Sequence, residues 1–142
     1  MLDDLGLIEA IEWQSKEFEK RSGIKISFES AIPHLPIANS VATSLFRIYQ
    51  EALTNIARHS NATQVDAVLS KNDNRFVLEI RDNGKGFRME DMADQKSLGL
   101  KGMHERALMV DGEFKIESNP GQGTYIQISI PILITNQEIN QL

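Results

Sequence analysis

Tyr49-Gln50-Glu51-Ala52-Leu53-Thr54-Asn55-Ile56-Ala57-Arg58-His59-Ser60 is the stretch whose reading decides the rest of the chain. Together with the residues before it, it predicts one long helix over about residues 37–59. Val41, Leu45, Ile48, Ala52 and Ile56 form an apolar stripe at helical spacing, widened by Phe46, Tyr49 and Leu53. Glu51, Asn55 and Arg58 make a polar stripe beside it, because residues three and four apart lie one above another. Such a stripe has two readings. Taken alone, it is more often a solvated helix face. The other reading is metal and phosphate handling: an amide oxygen can ligate Mg²⁺, a carboxylate one turn back can hold a metal-bound water, and a guanidinium can neutralise phosphate.

Upstream, Leu7, Ile11 and Phe18 predict a helix over about residues 5–22, stopped by Gly23. Residues 24–29 alternate apolar and polar and predict a half-buried strand. Pro33 and Pro36 then break the pattern. Downstream, residues 64–70 and 75–82 predict two strands, joined by the polar turn Lys71-Asn72-Asp73-Asn74. Residues 88–98 are polar, Met-rich and acidic with no period, and predict a functional loop. Residues 99–110 predict a glycine-opened helix. Residues 113–118 and 124–131 predict a closing hairpin, and the polar residues 135–142 a frayed tail. The order α, β, α, β, β, α, β, β predicts a two-layer α/β sandwich, with helices on one face of a mixed, mostly antiparallel sheet.

The 142 residues suit one domain with a real core, and 41% hydrophobic with 25% charged residues is an ordinary globular balance. The net charge of −5 argues against a dedicated nucleic-acid binder. No apolar run approaches the roughly 20 residues that span a bilayer. Asp3 and Asp4 are unlike the basic start of a secretion signal. With no cysteine, any metal must be held by oxygen or imidazole, and a cytoplasmic setting is expected.

Three further motifs each have a bland and a functional reading. In Asp82-Asn83-Gly84-Lys85-Gly86-Phe87, Asn-Gly is ordinary turn chemistry. A strand-end Asp can equally accept a hydrogen bond from an exocyclic amine such as that of adenine, with glycines letting the backbone approach a flat ring. Gly99-Leu100-Lys101-Gly102-Met103-His104-Glu105-Arg106 can be a helix whose first turn merely contains glycine. Its free N–H groups can also face phosphate. Gly121-Gln122-Gly123-Thr124 can be a plain hairpin turn, or a close backbone approach to a ligand with the Thr124 hydroxyl assisting. No His, Asp and Glu spacing resembles a zinc site.

In this order the four motifs resemble the N, G1, G2 and terminal G-x-G-T boxes of the GHKL nucleotide-binding superfamily. Leu2-Asp3-Asp4-Leu5-Gly6-Leu7 resembles the segment joining dimerisation and catalytic domains in sensor histidine kinases of the Nar/Deg type. Gly99-Leu100-x-Gly102-Met103-x-Glu105-Arg106 is similar to that subfamily's lid-closing box. The resemblance covers nearly the whole chain. It implies a Bergerat-type ATP-binding fold, with residues 1–142 as a single catalytic domain. Residues 1–22 would lead in from a dimerisation domain, and residues 84–100 would form a flexible ATP lid.

Carried over residue by residue, the resemblance implies ATP and Mg²⁺ as cofactors. Glu51 and Asn55 would be catalytic, Asn55 ligating Mg²⁺ and Glu51 supporting its water. Asp82 would read the adenine amine, with Gly84, Gly86, Gly123 and Thr124 around the base. Arg58, Gly99, Leu100 and Gly102 would lie toward the phosphates, with Lys96 or Lys101 as lid candidates. The acceptor histidine belongs to a separate dimerisation domain, since His34, His59 and His104 do not supply it. A response regulator follows indirectly. The domain alone would be monomeric, make no direct membrane contact and bind no nucleic acid. The parent would be a homodimer, in some cases anchored in the cell membrane. Other branches of the superfamily offer alternatives: an anti-sigma-type serine kinase, an ATP hydrolase, or a nucleotide-binding module without catalysis.

Overall fold

A computed structural model describes residues 2–32, 39–90 and 99–132. The elements are α1 (Leu2–Ser22), β1 (Lys25–Ser30), α2 (Asn39–Asn55), β2 (Gln64–Asn72), β3 (Arg75–Asp82), α3 (Leu100–Leu108), β4 (Glu113–Ser118) and β5 (Thr124–Pro131). The five strands form one sheet in the order β1-β2-β3-β5-β4. Only β1 and β2 run parallel, and α2 supplies the crossover that a parallel pair requires. The other three pairings are antiparallel. The expected fold class is the one observed.

The two-residue period places the core. Val65, Ala67 and Leu69 of β2, Phe76, Leu78 and Ile80 of β3, and Ile126, Ile128 and Ile130 of β5 are all buried. Their neighbours on the other face, such as Asp66, Glu79 and Gln127, remain partly or fully exposed. Helices therefore cover one face, and water meets the other. Across that core, α2 buries Leu45, Phe46, Ile48, Tyr49, Ala52 and Leu53. The Leu, Ile and Phe side chains among these each contribute about 1.5–3 kcal/mol by leaving water. α1 docks on α2 through Leu7, Ala10, Ile11 and Phe18, and through a buried hydrogen bond of 2.6 Å between Ser15 Oγ and Tyr49 Oη.

β1 and α3 depart from the expected 24–29 and 99–110 by one or two residues at each end, and three other boundaries differ for local reasons. α1 begins at Leu2 and is broken at Gly6, whose φ of 76° and ψ of 172° are open only to glycine. Lys71 and Asn72 belong to β2, so the hairpin turn is only Asp73-Asn74, with Asp73 at φ 54°. Asp tolerates that left-handed conformation better than most residues. The long helix is α-helical only to Asn55 and then widens into a π-helical turn, Ile56–Ser60. Asn61 at φ 55° ends it, while Ser60 Oγ donates to the Ile56 carbonyl at 2.7 Å. The expected helix start at 37, most of the loop at 88–98, Lys96, His34 and the tail at 135–142 lie outside the described residues.

Candidate functional site

At one end of the sheet the core columns turn polar. In β3 the buried series Phe76, Leu78, Ile80 continues to Asp82, which is only 6% exposed. Register places Thr124 of β5 opposite Asp82, and Ser118 of β4 opposite Thr124. Three polar side chains thus form a row on the core face, where the layer above would be hydrocarbon. Asp82 and Thr124 border a cleft of ≈ 260 Å³. Ile116 and Ile126 give it an apolar floor, and Ala52, Asn55 and Ile56 form the α2 wall. Lys85, Gly86 and Phe87 come from the loop after β3, while Leu100 comes from the start of α3.

Burying that row is costly unless its groups are paired. Asp82 Oδ1 accepts the Gly84 N–H at 2.8 Å, and the carboxylate also accepts the Thr124 N–H. Burial pushes the Asp82 carboxyl above its ordinary range, and these two N–H groups pull it partly back. Ser118 Oγ accepts the Phe87 N–H at 2.9 Å and lies 3.1 Å from the Gly123 carbonyl and 2.8 Å from Thr124 Oγ1. One buried hydroxyl therefore ties the loop after β3 to the start of β5. Asn83 pins the same loop from outside, its Oδ1 accepting from the Thr63 and Gln64 N–H groups.

The glycines serve this packing. A Cβ on Gly84 would strike Ser60 backbone, one on Gly86 the Asn119 carbonyl, and one on Gly123 the Asp82 carbonyl. Gly86 and Gly123 also hold φ values of 63° and 76°. The glycines let three loops close on one another, and only Gly86 of these also lines the cleft. Gly99, at φ 69°, lies against the Glu51 carboxylate. Gly102 differs, because a Cβ there would meet nothing within 4 Å. Among the described residues no packing requires that glycine.

Among the residues expected to act together, Asn55, Asp82, Gly86, Leu100 and Thr124 meet in the cleft. Glu51 lies one turn before Asn55 and lines a neighbouring groove. Arg58 is exposed and lines a separate depression with Phe18 and Arg21 of α1. The π-helical turn explains its place. Hydrogen bonds running i→i+5 take up about one more residue per turn than α-helical ones. The residues that follow Asn55 around to the cleft are therefore His59 and Ser60. The sequence reading gave neither a role in the cleft, nor Lys85, Phe87 or Ser118. His59 was findable as the residue four after Asn55 on one helix face, and Ser118 from its hairpin register with Thr124.

Among the described residues no group of three or more His, Asp or Glu side chains could enclose a metal ion. The donor set fits only a metal held mostly by other oxygens. Mg²⁺ accepts that arrangement, because it keeps several waters and takes one or two protein oxygens beside phosphate. Asn55 presents an amide oxygen at the cleft wall, and Glu51 a carboxylate one turn earlier.

Residues 40–134 match the family described as histidine kinase-, DNA gyrase B-, and HSP90-like ATPase. The chain is 41% identical over 133 residues to the signal transduction histidine-protein kinase/phosphatase DegS of Brevibacillus brevis. That match covers 92% of the chain and 34% of the relative. It is 36% identical over 131 residues to the oxygen sensor histidine kinase NreB of Staphylococcus carnosus, covering 92% and 38%. The chain thus spans about a third of the length of these relatives. Among solved structures, the blue-light activated histidine kinase of Erythrobacter litoralis EL346 superposes with a TM-score of 0.73 at 18% identity, over 86% of this chain and 40% of that one. The Acinetobacter baumannii histidine kinase AdeS gives 0.68 at 17%, over 89% and 63%. At such identities these two establish the fold alone.

Proposed function

Because the chain belongs to the histidine kinase-, DNA gyrase B- and HSP90-like ATPase family, we propose that it is the catalytic domain of a sensor histidine kinase. In this reading it binds ATP with Mg²⁺ and passes the γ-phosphoryl group to a histidine of a separate dimerisation domain. The observation that carries the reading is Asp82 and Thr124, paired at the end of an apolar core, braced by the buried Ser118 and lining one cleft with Asn55.

An ionised carboxylate only accepts hydrogen bonds, so Asp82 suits an amine edge such as that of adenine. Thr124 lies beside it, and Ile116, Ile126 and Ala52 supply the apolar surface for a flat ring. His59 and Lys85, which also line the cleft, would meet phosphate charge. Asn55 would hold Mg²⁺, with Glu51 acting through water, and the bound ion would neutralise charge on the transferred phosphoryl group. Residues 84–100 would serve as a lid, with Gly99 and Gly102 letting its end approach the phosphates. The dimerisation domain of the parent is the direct partner and a response regulator the indirect one. We place the domain in the cytoplasm of a homodimeric parent. Among the described residues no helix is long and apolar enough to cross a membrane.

The test is transfer in trans from γ-labelled ATP. Label on a separately supplied dimerisation domain, stable to alkali and labile to acid, supports the reading. Label on this chain itself, or rapid ATP hydrolysis without an acceptor, overturns it.

A further inference from the structure

Beside the cleft lies a second concave surface, a groove of ≈ 500 Å³ walled by α1, α2 and α3. Arg21 enters it from α1, Arg47 from α2 and Arg106 from α3, with Trp13 at its side, Glu51 at the border toward the cleft and Glu17, paired with Lys20, also on its wall. Although the chain carries a net charge of −5, three guanidinium groups converge here. Among the described residues none of the three takes part in an ion pair, the pairs being Lys20–Glu17, Arg88–Glu90 and Lys101–Glu105. Trp13 is 42% exposed, a large aromatic surface left uncovered. Arginine and tryptophan together are the residues that most often anchor protein–protein contacts.

We propose that this groove docks an acidic segment of the protein that receives the phosphoryl group. The inference rests on the kinase reading above and supplies its docking surface. Guanidinium groups pair with carboxylates through two parallel hydrogen bonds, so the occupant's chemistry is acidic protein. Its position gives the contact a purpose. Glu51 lines the groove while Asn55, one helical turn of about 5.4 Å further along α2, lines the cleft. A partner seated here lies next to the site from which phosphate would leave. The nucleotide's own phosphates are a poorer occupant, because the Glu51 carboxylate, set against Gly99, stands on that border.

The three arginines are exposed, so their replacement leaves the core intact. The experiment compares the wild-type chain with R47E/R106E and with R47K/R106K. Each is measured for ATP affinity, for transfer kinetics to the parent's dimerisation domain across a salt series, and for binding to phosphatidylserine vesicles. Charge reversal is expected to raise the KM for the acceptor domain by about tenfold or more, leaving ATP affinity within about twofold. The lysine pair should restore part of the loss, and added salt should raise the wild-type KM in the same direction.

An unchanged acceptor KM in R47E/R106E, with wild-type binding and transfer intact, overturns the groove alone. ATP affinity falling in step with transfer assigns the arginines to the nucleotide site, and loss of vesicle binding without loss of transfer assigns them to lipid. Either result overturns the proposal. A wild-type chain that binds no ATP overturns this inference and the kinase reading together.

Discussion

Asp82→Asn separates the fold's use of this residue from its use by a nucleotide. Asn has nearly the same shape, but one acceptor oxygen and one amide donor in place of two acceptors. Its oxygen can keep the Gly84 N–H bond of 2.8 Å, while its NH₂ group turns a donor toward whatever the second carboxylate oxygen accepted. A buried donor left without its partner costs about 1–3 kcal/mol. An opposing contribution comes from charge. Burial raises the Asp82 carboxyl above its ordinary 3.8. Stability from such a group is present below that ordinary value and is lost as pH rises through the higher folded one. At pH 7 the ionised Asp82 therefore burdens the fold in a way that Asn does not. The two effects oppose each other, so the nucleotide-free Tm should fall by only a few degrees, at about 4 °C per kcal/mol.

The nucleotide response should change far more. ATP at about 100 times its Kd stabilises by about 2.7 kcal/mol, or about 10 °C on the same scale. Losing a hydrogen bond to a charged acceptor costs about 2 kcal/mol, a weakening of about 30-fold. The same ATP concentration then stands at about three times the new Kd, which leaves about 0.9 kcal/mol, or about 3–4 °C. Differential scanning fluorimetry with and without ATP and Mg²⁺ reads both quantities. A variant that keeps the full shift of about 10 °C refutes the assignment of Asp82 to the base.

Three other outcomes follow from the same geometry. Gly102→Ala meets no neighbour within 4 Å, so it should stabilise the free chain by about 0.5–1 kcal/mol through helix propensity. It should nonetheless weaken ATP if the glycine exists for close approach of phosphate, and unchanged affinity by calorimetry removes that role. His59→Ala should weaken ATP by about tenfold while Arg58→Ala changes it less than about twofold, since only His59 lines the cleft; the opposite ranking defeats the π-turn argument. Burial pushes the hydroxyls of both tyrosines, Tyr49 and Tyr125, up to about 12, with the Glu79 carboxylate adding to the rise at Tyr125. Their contribution to stability is present below pH 10 and lost as pH rises through about 12. Spectrophotometric titration should show little phenolate in the folded chain at pH 10, and half-titration there contradicts the burial that raises both hydroxyls.

The strands were the most legible part of the sequence because one face of the sheet is covered and the other is wet. That difference writes a clean two-residue alternation, and β3, β4 and β5 begin and end where it does. What the alternation cannot write is which strand lies beside which. The parallel β1–β2 pair and the insertion of β5 between β3 and β4 depend on contacts far apart in the chain. The helix carrying Asn55 was legible up to the point where its period changed. Beyond Asn55 the wider turn carries Arg58 to a separate depression, while His59, four residues after Asn55, stays at the cleft. The glycines of the loop after β3 were recognised, but their neighbours were not, because the carbonyls they accommodate belong to Ser60 and Asn119, far away in the chain.

The site is best understood as the last layer of the core, left unfilled. Along β3, β5 and β4 the face that packs against α2 is apolar until Ile80, Ile126 and Ile116, and then becomes Asp82, Thr124 and Ser118. Among the described residues no buried polar side-chain atom lacks a hydrogen-bond partner. The row is therefore stable without a ligand, held by the backbone of the loops it joins. Two N–H bonds do not exhaust the Asp82 carboxylate, which has about four acceptor sites. The unused acceptors are held by a rigid sheet end instead of a mobile side chain, so a ligand that supplies an amine need not order them. This is preorganisation in the physical sense, because its cost is met on folding and not on binding. It accounts for how a short motif such as Asp82-Asn83-Gly84-Lys85-Gly86 can specify a site: the loop fixes the acceptor, and the sheet register fixes everything that stands beside it.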